Sequence, residues 1–169
     1  LSVLEINNKD LLARGAGSSK VDSFLSSNLE SHKQIIDKSF RDLGKVDIFL
    51  IAYGSLPNQE LCEKDSLIAL KELNTNGISV ISLLIHAANR MESQGFGNIT
   101  VITSVAGDKG RQSNYLYGSA KGMVSIFLQG LSHRFANTNI DILDIKPGLV
   151  DTPMTAEFTK GPLFSSPNQ

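Results

Sequence analysis

Cysteine is nearly absent from this chain of 169 residues, and tryptophan is missing altogether. The one thiol, Cys62, has no intramolecular partner, which excludes a disulfide, a C-x-x-C redox pair and a cysteine zinc site. This agrees with a reducing compartment. No reactive-thiol motif surrounds Cys62, so it reads as a passive small residue. The three histidines, His32, His86 and His133, fall on polar helix positions without triad or metal spacing and read as solvated or structural. No metal is expected. An excess of one charge is lacking too: 16 Lys and Arg face 17 Asp and Glu, for a net charge of -1. There is no basic tract, so nothing in the charge points to nucleic acid or a membrane surface. Long apolar runs are also missing. The two longest, 48–53 and 78–88, fall short of the roughly 20 residues of a membrane-crossing helix. No basic-then-apolar leader stands at the start, and a cytoplasmic location is the default expectation.

What remains is an ordinary globular composition, 41% hydrophobic and 20% charged, in a length that suits one domain. There are no internal repeats. Residues 5–14 read as a polar helix stopped by Gly15 and Gly17, and 21–25 as a short strand. Leu29, Ile35, Ile36, Phe40 and Leu43 give 29–43 a helical rhythm closed by Gly44. The run 48–53 suits a strand buried on both faces of a parallel sheet. A mixed helix follows over 62–73, with Asp65 and Ser66 as start signals. Then come a long, nearly all-apolar helix over 76–94, a β-branched strand over 99–103, a helix over 114–136 and a strand over 140–145 stopped by Pro147-Gly148. Ser165 or Ser166 before Pro167 reads as the cap of a helix that the chain does not complete. Alternating strands and helices predict an α/β fold, a Rossmann-like doubly wound parallel sheet.

Ligands of such sheets bind beyond the carboxyl ends of the strands. Tyr53-Gly54, Ser104 and Pro147-Gly148 all lie just past strand ends and so share one edge. On the helix that follows Ser104, Tyr117 and Lys121 are four residues apart and lie on one face. A tyrosine ordinarily titrates near pH 10. A cation beside it favours the phenolate, so this pair, with the Ser104 hydroxyl, is equipped for reversible proton transfer at a carbonyl.

Four segments in this order resemble the short-chain dehydrogenase/reductase family: Asn76 near the start of the long helix, Ile102-Thr-Ser-Val-Ala-Gly107, Tyr117-Gly-Ser-Ala-Lys121 and Lys146-Pro-Gly-Leu-Val-Asp-Thr152. Ile51-Ala-Tyr-Gly54 departs from the family's usual Asn-Asn-Ala-Gly, keeping only the last glycine. Residues 107–115 and 147–154 are most similar to sugar-modifying members, the group that contains the decaprenylphosphoryl-2-keto-pentose reductases. The resemblance implies an NAD(P)-dependent oxidoreductase interconverting a secondary alcohol and a ketone, on a small molecule or an activated or lipid-linked sugar. A sugar epimerase or dehydratase, and a non-catalytic nucleotide-binding member, are the other readings.

By the same resemblance, Tyr117 is the acid/base group and Lys121 lowers its pKa and bonds the nicotinamide ribose. Ser104 holds the substrate oxygen, and Asn76, with Asn74 as its rival, supports a proton-relaying water. Gly54, Pro147, Gly148, Val150 and Thr152 line the nicotinamide end of the cofactor, and Asn28 stands where the family often contacts adenine. Asp108, Lys109 and Arg111 read as a solvated loop bordering the substrate pocket, and 154–164 as the loop over the substrate. The family's first strand, Gly-rich turn and second strand have no counterpart here, since Gly15-Ala-Gly17 follows a helix rather than a strand. The sequence thus reads as a family domain incomplete at both ends. NADP is favoured by the likeness to reductases, and NAD stays open. The helices 76–94 and 114–136 resemble those that build family homodimers and homotetramers.

Overall fold

The computed structural model describes residues 26–156, 158–162 and 164–166. The readings at 5–14, Gly15-Ala-Gly17 and 21–25 lie outside these. Helix α1 (Leu29–Leu43) buries His32, Ile36 and Phe40 at helical spacing and ends at Gly44, whose φ of 75° is open to glycine. Strand β1 (Ile48–Ile51) follows. The predicted helix over 62–73 is two helices, α2 (Gln59–Lys64) and α3 (Ser66–Leu73). Extended Asp65 separates them, and its carboxylate caps α3 by accepting from Leu67 N at 2.8 Å.

The predicted long helix begins with a wide π turn (Asn74–Ile78) and continues as α4 (Ser79–Gln94). By length and composition the continuous stretch Ser66–Gln94 is long and apolar enough to cross a bilayer, which the shorter run 78–88 did not indicate. Here Leu83, Leu84, Ala87, Ala88 and Met91 form its buried face, and all but Ala87 belong to the core cluster shared with the sheet. Strand β2 (Phe96–Ile102), helix α5 (Tyr115–Arg134) and strand β3 (Asn139–Ile145) complete the main layers.

The three strands are parallel in the order β1-β2-β3, in a register that aligns Phe49 with Ile99 and Ile142. Residues of α1, α4 and α5 form one apolar core with Ile51, Ile99, Val101 and Ile140. Burial of β1 on both faces is not observed: Ile48 is 67% and Leu50 54% exposed. They share the opposite face with Leu143 and Ile145, also exposed. Among the described residues the core helices pack on the Phe49–Ile51 side, which is why the run is half-buried. Beyond β3, the short strands β4 (Leu149–Val150) and β5 (Phe164–Ser165) pair in parallel. Ser165 is therefore part of a strand and not a helix cap.

Candidate active site

Every catalytic candidate is brought to the predicted sheet edge by close backbone contact. After β2 the chain makes a 3-10 turn (Val105–Gly107), started by Ser104 accepting from Ala106 N at 3.1 Å. This turn lies directly on α5. A Cβ at Gly118 would stand 2.5 Å from Ala106 O, and one at Gly107 would stand 2.6 Å from Gly122 N. Glycine at these positions is what lets Ser104 approach Tyr117 and Lys121. Lys121 is 4% exposed. Its ammonium donates to Ile102 O at 3.2 Å and lies 5.7 Å from the Tyr117 ring centre.

Gly54, just past β1, fills the gap behind the lysine. A Cβ there would meet Asn76 Oδ1 at 2.9 Å and Lys121 Nζ at 3.5 Å. Asn76 is fully buried in the π turn. Its Oδ1 accepts from Ser55 N at 2.9 Å, and its Nδ2 donates to Ser55 Oγ at 3.0 Å and Glu72 O at 3.2 Å. Ser55 Oγ in turn donates to Glu72 Oε2 at 2.5 Å. The π turn has its own lock. Ser79 N reaches back five residues to Asn74 O, the Ser79 hydroxyl donates to Thr75 O at 2.8 Å, and Tyr53 OH lies 2.5 Å from Ser79 Oγ. Burial pushes the Tyr53 phenol up to about 12.

A cavity of about 490 Å³ opens in front of these groups. Ser104, Tyr117 and Lys121 line it together with Gly54, Pro147 and Gly148. Val150 and Thr152 extend the same wall, and Met154 and Phe158 of the following loop cover it. Burial raises the Tyr117 phenol above its ordinary value, with the Ser104 hydroxyl pulling the other way. Burial lowers Lys121 to about 8, opposed by the charge of Asp144. The expected lowering of Tyr117 by Lys121 is therefore not what governs it. Desolvation outweighs the cation and favours the neutral form of both groups.

A half-buried phenol, a serine hydroxyl and a buried amine around one mostly apolar cavity at the carboxyl ends of parallel strands suit acid/base work at a carbonyl. The short chain dehydrogenase family model matches residues 10–162. The chain belongs to the short chain dehydrogenases. An uncharacterized oxidoreductase of Mycobacterium tuberculosis (strain ATCC 25618 / H37Rv) is 33% identical over 175 residues, covering 99% of this chain and 70% of the relative. Among solved structures, ElxO with NADP bound superposes with a TM-score of 0.72 and 28% identity over 79% of this chain and 55% of that one. A putative gluconate dehydrogenase from Agrobacterium tumefaciens gives a TM-score of 0.80 at 20% identity, over 92% of this chain and 61% of that one, a likeness of fold. The chain thus spans little more than half the length of these two solved structures.

Within this short chain dehydrogenase, ten sequence-derived positions fall into three groups. Gly54, Ser104, Tyr117, Lys121, Pro147, Gly148, Val150 and Thr152 line the cavity. Asn76 sits behind it, locked to Ser55 and Glu72; its rival Asn74 gives the backbone carbonyl that closes the π turn. Asn28 is exposed at the start of α1, away from the cavity lining, where its carbonyl accepts from Ser31. The loop 108–111 divides. Arg111 lines the cavity, whereas Asp108 pairs with Lys146 at 2.6 Å. Sequence reasoning missed Ser55, Glu72, Thr103 and Asp144. A signal existed for Asp144 alone: of the two charges in 139–145, Asp141 and Asp144, it is the one that alternates onto the side of Ile140 and Ile142.

Proposed function

We propose that the chain carries the proton-transfer half of an NADP- or NAD-dependent oxidoreductase that interconverts a secondary alcohol and a ketone. The observation that supports this is the convergence of Tyr117, Ser104 and Lys121 on one cavity. The donor set fits a nicotinamide nucleoside. Lys121 offers a buried ammonium to ribose hydroxyls, and Gly54, Pro147, Gly148, Val150 and Thr152 form a wall with little side-chain obstruction. ElxO, the 28% identical relative, holds NADP, which favours that cofactor.

When bound, the nicotinamide supplies or accepts hydride. The protein's own part is the proton. In reduction the Tyr117 hydroxyl donates to the substrate oxygen as negative charge grows there, and Ser104 steadies that oxygen. In oxidation Tyr117 takes the proton back. The phenol is protonated throughout the neutral range, as the donor role requires; burial makes it a weaker acid, and charge beside the developing phenolate must offset that. Lys121, held against Ile102 O, places its charge beside the developing phenolate. Asn76, through its locked carboxamide, holds the backbone around Gly54 in place behind Lys121. As the substrate we propose a ketone on an activated or lipid-linked sugar, as in the decaprenylphosphoryl-2-keto-pentose reductases. The support is the sequence at 107–115 and 147–154, which forms one side of the cavity. We further propose a homodimer or homotetramer built on α4 and α5.

Cofactor oxidation by the whole protein, followed by NADPH absorbance with ketoses as substrates, tests the reading. Tyr117→Phe should reduce kcat by about 100-fold or more. Equal turnover in the two proteins would end it.

A further inference from the structure

The sheet face beneath the helices is apolar except at one position. In register, Ile51, Val101 and Asp144 stand side by side. The first two are buried core residues, and the third is a carboxylate. A charge on such a face is unfavourable unless it is paired or hydrogen-bonded. Asp144 is held by the Thr103 hydroxyl, which donates to its Oδ1, and Ser125 Oγ of α5 donates to Thr103 Oγ1 at 3.4 Å. Lys146 Nζ lies 2.6 Å from Asp108 Oδ1 and 3.8 Å from Asp144 Oδ2, so it serves both carboxylates. Lys146 is thus divided between two carboxylates, and the negative charge of Asp144 has room for a second partner.

That partner is next to Thr103. Lys121 bonds the carbonyl of Ile102, the preceding residue, and lies one turn before Ser125 on the same face of α5. Among the described residues, no carboxylate makes a direct ion pair with Lys121. We propose that Asp144, fixed by Thr103 and shared with Lys146, also supplies counter-charge to Lys121 through space, a positioning residue whose carboxylate keeps the buried ammonium protonated at neutral pH. This rests on Lys121 being part of the active site. The charge balance around Lys121 agrees, since burial pulls its titration down and Asp144 is the group that pulls it up. The other titratable or charged groups around it among the described residues are Tyr117 on its own helix, Arg111 on the same cavity wall, Lys146 beside Asp144, Glu72 behind Asn76 and Tyr53 past β1.

The test is a titration of Lys121 in the whole protein by ¹³Cε/¹⁵Nζ NMR, with the signal assigned by its loss in Lys121→Met. The wild-type midpoint should lie near 8. Asp144→Asn, which keeps an acceptor for Thr103, should move it to lower pH, and Asp144→Glu should return it toward the wild-type value. If Asp144→Asn does not fold, Asp144→Ser carries the same expectation. An unmoved Lys121 midpoint in a variant with an intact thermal transition would overturn the proposal. The titration involves no turnover, so it separates this proposal from the catalytic reading. Where turnover is seen, the alkaline limb of the Asp144→Asn kcat profile should also shift to lower pH. A moved midpoint with an unmoved profile would support the pairing and count against Lys121 as a catalytic group.

Discussion

At the scale of single residues, the site depends on how little room and water surround Lys121. Gly54 is the clearest case. A methyl group there would press on Asn76 Oδ1, which Ser55 N already holds, and would come into van der Waals contact with Lys121 Nζ. Gly54→Ala should lower kcat/KM by up to about 100-fold through displacement of Asn76 and the Ser55 backbone it holds beside the lysine; unchanged kinetics would refute the packing argument. The buried lysine also leaves a mark on stability. Its folded-state pKa of about 8 lies below the ordinary 10.5, so between these values the unfolded chain binds more protons, and stability rises with pH. The tyrosines act in the opposite sense. Tyr53, pushed up to about 12, and Tyr117, also raised, ionise first in the unfolded chain, so stability falls as pH rises above about 10. Urea unfolding from pH 7 to 11 should therefore show a rise and then a fall, and Lys121→Met should remove the rise. A rise that survives in Lys121→Met would place its origin elsewhere.

At the scale of elements, the meeting of the 105–107 turn with α5 is set by atoms that are absent. Gly118 and Gly122 let the turn lie on the helix backbone, and no rotamer change can make room for a Cβ pressed against the carbonyl of Ala106 or Gly107. Gly130, further along the same helix, has nothing within 4 Å of where its Cβ would be. The same substitution should then have opposite signs at the two positions. Gly118→Ala should cost about 1–3 kcal/mol by overpacking, and Gly130→Ala should stabilise by about 0.5–1 kcal/mol, as alanine does in an exposed helix interior. Thermal or urea unfolding of both checks this, and destabilisation of equal size at both would contradict it. The π turn is the second such element. Asn76 points inward because the turn adds a residue to the helix, and Tyr53 and Ser79 hold that addition in place.

At the scale of the molecule, the helices cover one face of the sheet, and α4 and α5 turn apolar side chains outward. Ile126 is 70% exposed on α5, with Met123 and, on α4, Ile85 also at the surface. The proposed assembly buries these. Ile126→Glu should convert the oligomer to a monomer in light scattering at micromolar concentration, because an unpaired carboxylate in an apolar interface is strongly unfavourable. A wild-type protein that scatters as a monomer would remove the proposal.

Alternation of strand and helix, the strand-end glycines, and the spacing of Ser104, Tyr117 and Lys121 were legible in the sequence, because each follows from local periodicity or turn chemistry. Local pattern also carried Asp65 as a cap and Gly44 as a stop. It did not reveal that β1 has one open face, since an apolar run reads the same whichever face is covered. It marked Asp65 as a start signal but did not make α2 a separate helix before it, or foresee the π turn. The clamp of Ser55 and Glu72 on Asn76 and the link from Asp144 toward Lys121 join residues distant in the chain or across a turn, and only packing brings them together. The largest difference is electrostatic. The sequence determined that a phenol and an amine share a helix face; the tertiary structure decided that both are largely buried at the wall of one cavity, where desolvation leaves Tyr117 protonated and Lys121 poised near 8.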